Sequence, residues 1–310
     1  MTSLDETASG VYVIAPTPFD PGGALDLAST DRMIEFFLDR GATGLTILGI
    51  MGEAPKLTTD EAESFVARVI RRTSGRVPVV VGVSSPGLAA MRDLAASAMD
   101  LGAAGVMVAP VPNLRTDDQI HGWFVDVAET LGPATPFVLQ DYPLTTQVQI
   151  APGVILRIIR DLPTCVMVKH EDWPGLAKIS ALRAAEARGD SRRVAILTGN
   201  GGLFLPEEMA RGADGSMTGF AYPEMMVGVI AAFRSDAPDC AQDLFDAYLP
   251  LARYEQQPGI GLAVRKHILC RRGAILTPTL RKPAPRLADV DIAEIERLIA
   301  RQERRLAELG

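Results

Sequence analysis

The amino-acid sequence predicts an α/β fold of the (β/α)8 TIM-barrel class with a C-terminal helical appendage. Eight short apolar runs alternate with amphipathic helical patterns over most of the 310 residues. A Gly-Ala-x-Gly phrase recurs at Gly41, Gly102 and Gly212, each time between a helical pattern and an apolar run. These glycines lie 61 and 110 residues apart, which fits a repeated unit of about 30 residues, the size of one βα repeat.

Each predicted strand is a short apolar run, as expected for strands buried in a parallel sheet. The eight runs are Val11–Ala15, Leu45–Leu48, Val77–Val83, Val106–Ala109, Phe137–Gln140, Cys165–Lys169, Val194–Thr198 and Ser216–Phe220. Helical patterns follow the strands, including Leu27–Arg40, Thr59–Thr73, Leu88–Leu101 and Asp117–Leu131. The first glycine of each Gly-Ala-x-Gly phrase is expected to end its helix in the left-handed conformation that glycine tolerates.

An open, doubly wound sheet is the alternative fold with the same alternation of strands and helices. Against it, the turn from Ala15 to Phe19 after the first strand carries no glycine-rich phosphate fingerprint.

Three further helices are predicted after the eighth unit. They are Asp239–Glu255, Gly259–Arg272 and Asp289–Leu309. We therefore expect a barrel over residues 1–235 and a helical region over 236–310 that packs on it. In the last helix, an apolar stripe is expected to face this chain's own barrel; it comprises Ile295, Leu298, Ile299 and Leu306.

The composition indicates an ordinary globular protein, with 47% hydrophobic residues and a net charge of −7. A negative charge gives no attraction for nucleic acid or anionic membranes, so neither is an expected partner.

Three widely spaced cysteines fit reduced thiols. With no long apolar span and no signal-peptide pattern, a cytoplasmic location is expected. His121 and His267 offer no ligand spacing, so neither a metal nor a class II aldolase is expected.

Lys169 ends the sixth predicted strand as an amine placed directly after an apolar run. A buried ammonium is costly unless it is paired or deprotonates, so this lysine either points outward at a fraying strand end or has a chemical role. The other lysines, Lys56, Lys178, Lys266 and Lys282, lie in turn-like or helical stretches from which the amine is expected to reach solvent.

The barrel prediction favours the chemical role, because barrel active sites lie at the C-terminal ends of the strands. An amine shielded from water has a lowered pKa and can attack a ketone to form an imine.

Glycine-rich or polar segments follow several other predicted strands and would surround the same amine. They are Gly49–Glu53, Pro110–Asn113, Gln140–Pro143 and Gly199–Gly202. Glycines in such turns let backbone amides approach a carboxylate, although most glycine-rich turns between a strand and a helix bind nothing. Asn200 is equally consistent with a pocket residue and with a turn residue.

In order and spacing, these motifs resemble the dihydrodipicolinate synthase / N-acetylneuraminate lyase superfamily. The matching motifs begin at Gly49 (Gly-Ile-Met-Gly-Glu-Ala-Pro-Lys-Leu-Thr), Gln140 (Gln-Asp-Tyr-Pro), Val168 (Val-Lys-His-Glu), Gly199 (Gly-Asn) and Gly212 (Gly-Ala-Asp-Gly). The resemblance implies a Schiff-base lyase that acts on pyruvate or another 2-oxo acid and needs no cofactor or metal. It also implies assembly as a homotetramer built from two dimers.

The resemblance also assigns site residues. Lys169 matches the Schiff-base lysine, and Ile50 and Met51 match two threonines that bind the keto acid's carboxylate through backbone and hydroxyl groups. Only the backbone part of that binding can remain here. Gly52, Gly199, Asn200 and Met217 are the other substrate-binding candidates.

The sequence departs from the family pattern in the proton relay. Alignment on Pro143 puts Gln140 where the catalytic tyrosine belongs and Thr145 where an arginine belongs. Tyr142 falls two places later, on the same strand face but about 6.6 Å further along. The Pro110–Asn113 segment also lacks the aromatic residue of the relay. Dihydrodipicolinate synthesis is therefore disfavoured, and the Gln-Asp-x-Pro motif resembles the branch of 2-keto-3-deoxy-L-arabonate dehydratases.

Two functions remain open at this point. In the first, Lys169 forms an imine with a 2-oxo acid, and dehydration or aldol cleavage of a 2-keto-3-deoxy sugar acid follows. Tyr142, a water held by Gln140, or Glu171 would move the proton, with Gln140 only orienting because an amide is no base. His170 and Glu171 could each act as a general acid or base beside an imine. The pattern favours a structural role for both: Glu171 caps or pairs in the sixth βα loop, and His170 points away by strand alternation. In the second, the barrel has lost its proton relay and only binds a 2-oxo acid or a sugar acid.

Overall fold

The computed structural model describes residues 3–173 and 175–309. Eight parallel strands close into a barrel in chain order, with β1 hydrogen-bonded to both β2 and β8. The strands are β1 Gly10–Ile14, β2 Gly44–Ile47, β3 Val79–Gly82, β4 Gly105–Val108, β5 Phe137–Asp141, β6 Cys165–His170, β7 Ala195–Thr198 and β8 Gly215–Thr218. All eight predicted strands are confirmed, and the alternative prediction of an open, doubly wound sheet is wrong.

Helices surround the barrel, and their positions confirm the predicted alternation. They are α1 Leu27–Leu38, α2 Thr59–Thr73, α3 Leu88–Leu101, α4 Asp117–Leu131, α5 Pro143–Thr146, α6 Pro152–Asp161, α7 Leu176–Ala187, α8 Leu205–Ala210, α9 Pro223–Arg234, α10 Pro238–Glu255, α11 Gly261–Arg271 and α12 Asp289–Leu309. Gly41, Gly102 and Gly212 follow α1, α3 and α8 with φ of 84°, 104° and 91°. Their left-handed backbone confirms the predicted helix ends.

Strand alternation separates two apolar layers. One layer fills the barrel interior, and the other lies between the strands and the helices. Val138 on β5 and Met167 on β6 belong to the interior layer. Since strand side chains repeat every second residue, Gln140 and Lys169 also point inward, at the C-terminal end of the barrel.

The C-terminal helices complete the fold. α10 packs on α9, and α12 packs on α10. Ile295, Leu298 and Ile299 are buried, and Leu306 packs against the same core, which confirms the predicted stripe. The division at residues 235 and 236 stays a prediction. In the described ranges, no helix is long and apolar enough to cross a membrane.

The expectation that the lysines other than Lys169 reach solvent is wrong for two of them. Lys178 is buried between Asp141 and Asp172, at 2.7 and 2.8 Å. Lys266 is fully buried, and its Nζ lies 2.6 Å from Oε1 of Glu53. Its other acceptors are the carbonyls of Thr17 and Thr279. Helical periodicity cannot show that acidic partners from distant segments meet these amines.

Candidate active site

Lys169 lies inside the barrel mouth, paired with an acid. It is the penultimate residue of β6 and is 4% exposed. Its Nζ lies 2.7 Å from Oε1 of Glu171, which follows β6 on the same face and is also buried. Burial of both charges is tolerable because they are paired. The carboxylate is therefore placed to take a proton from the amine or return one.

Gln140 orients the same carboxylate. It is the register partner of Lys169 across β5 and β6, and its Nε2 donates to Oε1 of Glu171 at 2.8 Å. The carboxylate oxygen that pairs with the ammonium of Lys169 therefore also accepts a hydrogen bond from the amide of Gln140. This places Gln140 in an orienting position, as its amide chemistry requires.

The backbone of Glu171 is held from two sides. Its N–H donates to the carbonyl of Asp141 at 2.8 Å, and its carbonyl accepts from Nδ2 of Asn200 at 3.1 Å. Asn200 has a left-handed backbone with φ of 51°. The Asn200 side chain, predicted to bind substrate, thus bonds the strand-six loop instead of standing free in the pocket.

Gly199 lets the side chain of Glu171 pack closely against the strand-seven loop. A Cβ at this position would overlap the side chain of Glu171. The close approach explains why the strand-seven loop begins with glycine, and it makes Gly199 a neighbour of the carboxylate.

Tyr142 stands at the start of α5, half-buried. Burial raises the pKa of its phenol, and the negative charge of Glu171 raises it further. A hydrogen bond from Thr145 and the positive charge of Arg265 oppose this rise in pKa. The phenol of Tyr142 thus keeps its proton and lies within the electrostatic influence of both Glu171 and Arg265.

The strand-two loop supplies backbone donors. Ile50, Met51 and Gly52 form a single 3-10 turn after β2. The first amides of a helical turn have no acceptor within it, which leaves the N–H groups at its start directed outward. Ile50 is 44% exposed, and Met51 packs against the interior layer. Gly52 is buried, and its carbonyl accepts from Oγ1 of Thr17 at 2.6 Å.

Met217 belongs to the barrel interior. It is fully buried on β8 and pairs in register with Tyr12, which is in the middle of β1. Met217 is the penultimate residue of β8, and its partner Tyr12 is two residues below the end of β1, so Met217 is part of the floor beneath the mouth.

His170 points out of the barrel, as strand alternation predicts. Its Nδ1 lies 3.7 Å from Oδ2 of Asp141, in the layer between β5, β6 and α7. The same carboxylate oxygen accepts from Lys178 of α7 at 2.7 Å. His170, Asp141 and Lys178 thus form a buried cluster directly behind Gln140 and Lys169. The cluster links β5 and β6 to α7.

Sequence reasoning missed a second charged pair at the mouth. Arg265 of α11 is 2% exposed; its Nε pairs with Glu255, and its Nη2 donates to the carbonyl of Gly219. Burial raises the pKa of Glu255, and the charge of Arg265 opposes that rise. The sequence did carry a signal for a buried charge here, namely an Arg-Lys pair within the apolar stretch Ile260–Leu269.

Comparison with known proteins agrees with this architecture. The profile of the Dihydrodipicolinate synthetase family matches residues 7–302. L-2-keto-3-deoxyarabonate dehydratase of Azospirillum brasilense is 31% identical over 92% of each chain. A 4-hydroxy-tetrahydrodipicolinate synthase of Thiobacillus denitrificans is 30% identical, over 79% of this chain and 81% of its own.

A solved structure is similar along nearly the whole chain. The crystal structure of dihydrodipicolinate synthase from Rhodopseudomonas palustris superposes with a TM-score of 0.96 at 50% identity, covering 97% of this chain and 100% of the other. The match of the family profile spans the barrel and most of the C-terminal helices. The chain therefore belongs to the Dihydrodipicolinate synthetase family.

Proposed function

We propose that this protein is a class I lyase that forms a Schiff base between Lys169 and a 2-oxo acid and dehydrates a 2-keto-3-deoxy sugar acid. The observation that carries the proposal is the buried contact of 2.7 Å between Nζ of Lys169 and Oε1 of Glu171. The named activity of the Azospirillum brasilense relative supports the substrate class.

The first half of the reaction makes the imine. Glu171 takes a proton from the ammonium of Lys169, and the free amine attacks the C2 ketone. The hydroxyl group of the resulting carbinolamine takes that proton back from Glu171 and leaves as water. This gives an iminium that withdraws electrons from C3, and Glu171 is again ionised. Amides at the start of the Ile50–Gly52 turn hold the carboxylate of the substrate.

The second half eliminates water. Glu171 removes a proton from C3, which forms an enamine, and the enamine expels the hydroxyl group at C4. That hydroxyl must leave as water, so it needs a proton from a general acid. Tyr142 fits this role, because its raised pKa keeps the phenol protonated. Hydrolysis of the product imine then restores the amine of Lys169.

Condensation of the synthase type is the second candidate, favoured by the 50% identical Rhodopseudomonas palustris structure named as a synthase. Against it, Gln140 and Thr145 occupy the positions of the family's tyrosine and arginine. We also propose assembly into homodimers or homotetramers, which sedimentation would test, and a cytoplasmic location.

Borohydride reduction in the presence of pyruvate tests the covalent step. We expect a mass increase on the peptide that carries Lys169, and no adduct with Lys169→Ala. Absence of an adduct in the wild-type protein would contradict the proposal. A panel of 2-keto-3-deoxy sugar acids, aspartate semialdehyde with pyruvate, and hydroxyproline-derived imines would then identify the substrate. Binding without turnover across that panel would instead indicate a binding protein.

A further inference from the structure

Arg265 brings a second buried charge to the barrel mouth, independently of the Lys169 and Glu171 pair. Gly219 follows β8 and comes two residues after Met217, whose side chain is in the interior layer. Residue 219 therefore faces inward. A Cβ at Gly219 would overlap the guanidinium of Arg265 and would lie 3.1 Å from the carbonyl oxygen of Ile14, the end of β1. The guanidinium thus occupies the place of an inward side chain at the rim.

The guanidinium has one unused nitrogen. Its Nε pairs with Glu255, and its Nη2 donates to the carbonyl of Gly219. Its Nη1 is buried and has no hydrogen-bond partner among residues 3–173 and 175–309. A buried donor without an acceptor is destabilising, and more so when it is charged. The arrangement therefore favours an anionic acceptor at Nη1.

The position of Arg265 at the rim indicates which acceptor this is. β8, β1 and β2 are consecutive around the barrel, so Arg265 lies on the side of the mouth that carries the Ile50–Gly52 turn. Gly52 itself packs near the carbonyl of Ala15, one residue past Ile14. Ile50 and Met51 have no side-chain hydroxyl groups with which to bind a carboxylate. A guanidinium supplies this kind of donor, because its fork of N–H groups matches carboxylate geometry.

We propose that Arg265 is a substrate-binding residue whose Nη1 donates to the carboxylate of the 2-oxo acid attached to Lys169. This inference rests on the proposed Schiff-base function. Glu255 is a positioning residue: it holds Nε, and its Oε2 accepts from the backbone N–H of Ala221 at 3.0 Å. The unused nitrogen is thereby held where an inward side chain of residue 219 would begin, and the carboxylate would complete its hydrogen bonding.

Borohydride trapping at increasing ketone concentration tests this role, with pyruvate compared with its methyl ester. The ester keeps the C2 ketone and lacks the negative charge. For Arg265→Met we expect the pyruvate concentration that gives half-maximal trapping to rise about 10- to 100-fold. The corresponding concentration for methyl pyruvate should change less than about twofold, because that ketone offers no carboxylate. Arg265→Lys should fall between the wild type and Arg265→Met, since it keeps the charge and loses the fork.

Two further variants guard against a purely structural effect. Arg265→Met leaves Glu255 buried without its partner, so Arg265→Met with Glu255→Gln should restore folding while keeping the selective loss of pyruvate. Arg271→Met is the matched control, because Arg271 is the last residue of the same helix and pairs with Glu296 of α12, away from the Gly219 rim. It should trap both ketones as the wild type does.

The outcomes separate the two proposals. An equal loss for pyruvate and its methyl ester would show that Arg265 only supports the fold, and unchanged pyruvate trapping in Arg265→Met would also overturn this inference. In both cases wild-type trapping would leave the Schiff-base function intact. A wild-type protein that traps neither ketone would overturn both proposals.

Discussion

Nζ of Lys169 lies 2.7 Å from Oε1 of Glu171, two residues along the same face of one chain segment. Strand alternation makes this pairing local: residues i and i+2 share a face, so the chain segment that presents the amine also presents the carboxylate beside it. The family's usual tyrosine position holds Gln140, which donates to the same oxygen at 2.8 Å. In this chain the acid beside the amine is therefore supplied by the residue that directly follows β6.

Glu171→Gln should stop proton transfer while preserving the shape of the site. We expect turnover to fall by about 10²- to 10⁴-fold, the usual contribution of a general acid or base. Exchange of the C3 hydrogens of pyruvate in deuterated water, followed by NMR, measures the step directly. Glu129→Gln, at an exposed position of α4, is the control. Wild-type exchange in Glu171→Gln would assign the base elsewhere.

Gly199→Ala should disturb the site through shape alone. The added methyl group would overlap the Glu171 side chain and push it away from Lys169. We expect turnover to drop at least tenfold, with a loss of about 1–3 kcal/mol in stability from overpacking. Gly122→Ala is the matched control, since its methyl group meets no atom within 4 Å. Full activity in Gly199→Ala would show that the carboxylate tolerates displacement.

Lys178→Met should destabilise the protein rather than remove a catalytic group. It leaves the carboxylate of Asp141 buried, with Oδ1 already lacking a partner among the described residues. Breaking one side of a buried pair costs about 3–5 kcal/mol, which urea unfolding would measure. Adding Asp141→Asn should recover much of that loss. The exposed Lys282→Met should have little effect, and an equally stable Lys178→Met would refute the buried-pair account.

Glu208 should make stability depend on pH. Burial raises the pKa of this carboxyl to about 8 in the folded protein, whereas it is near 4.3 in an unfolded chain. Between these values the folded state holds more protons, so stability falls as pH rises, by at most about 1.4 kcal/mol per pH unit. Glu208→Gln should flatten this fall in urea unfolding between about pH 5 and pH 8. An unchanged slope would mean that Glu208 ionises normally in the folded protein.

Much of the fold could be predicted because its signals are local. The helix that ends at Gly102 needs only an amphipathic pattern and a residue that accepts a positive φ. Lys169 was identifiable because an apolar strand ending in an amine is unusual and because strand ends form the mouth of a barrel. Lys266 shows the limit, since its burial depends on Glu53, which lies far away along the chain.

The sequence by itself determined the eight strands, their helices, the inward direction of Lys169 and the outward direction of His170. Each follows from periodicity within a few residues of chain. Only the tertiary structure decided that Gln140 and Asn200 both bond Glu171, and that Arg265 fills the space above Gly219. Those contacts join segments that barrel closure and the packing of α11 bring together. No local pattern encodes such distances, because they depend on where the whole chain places each element.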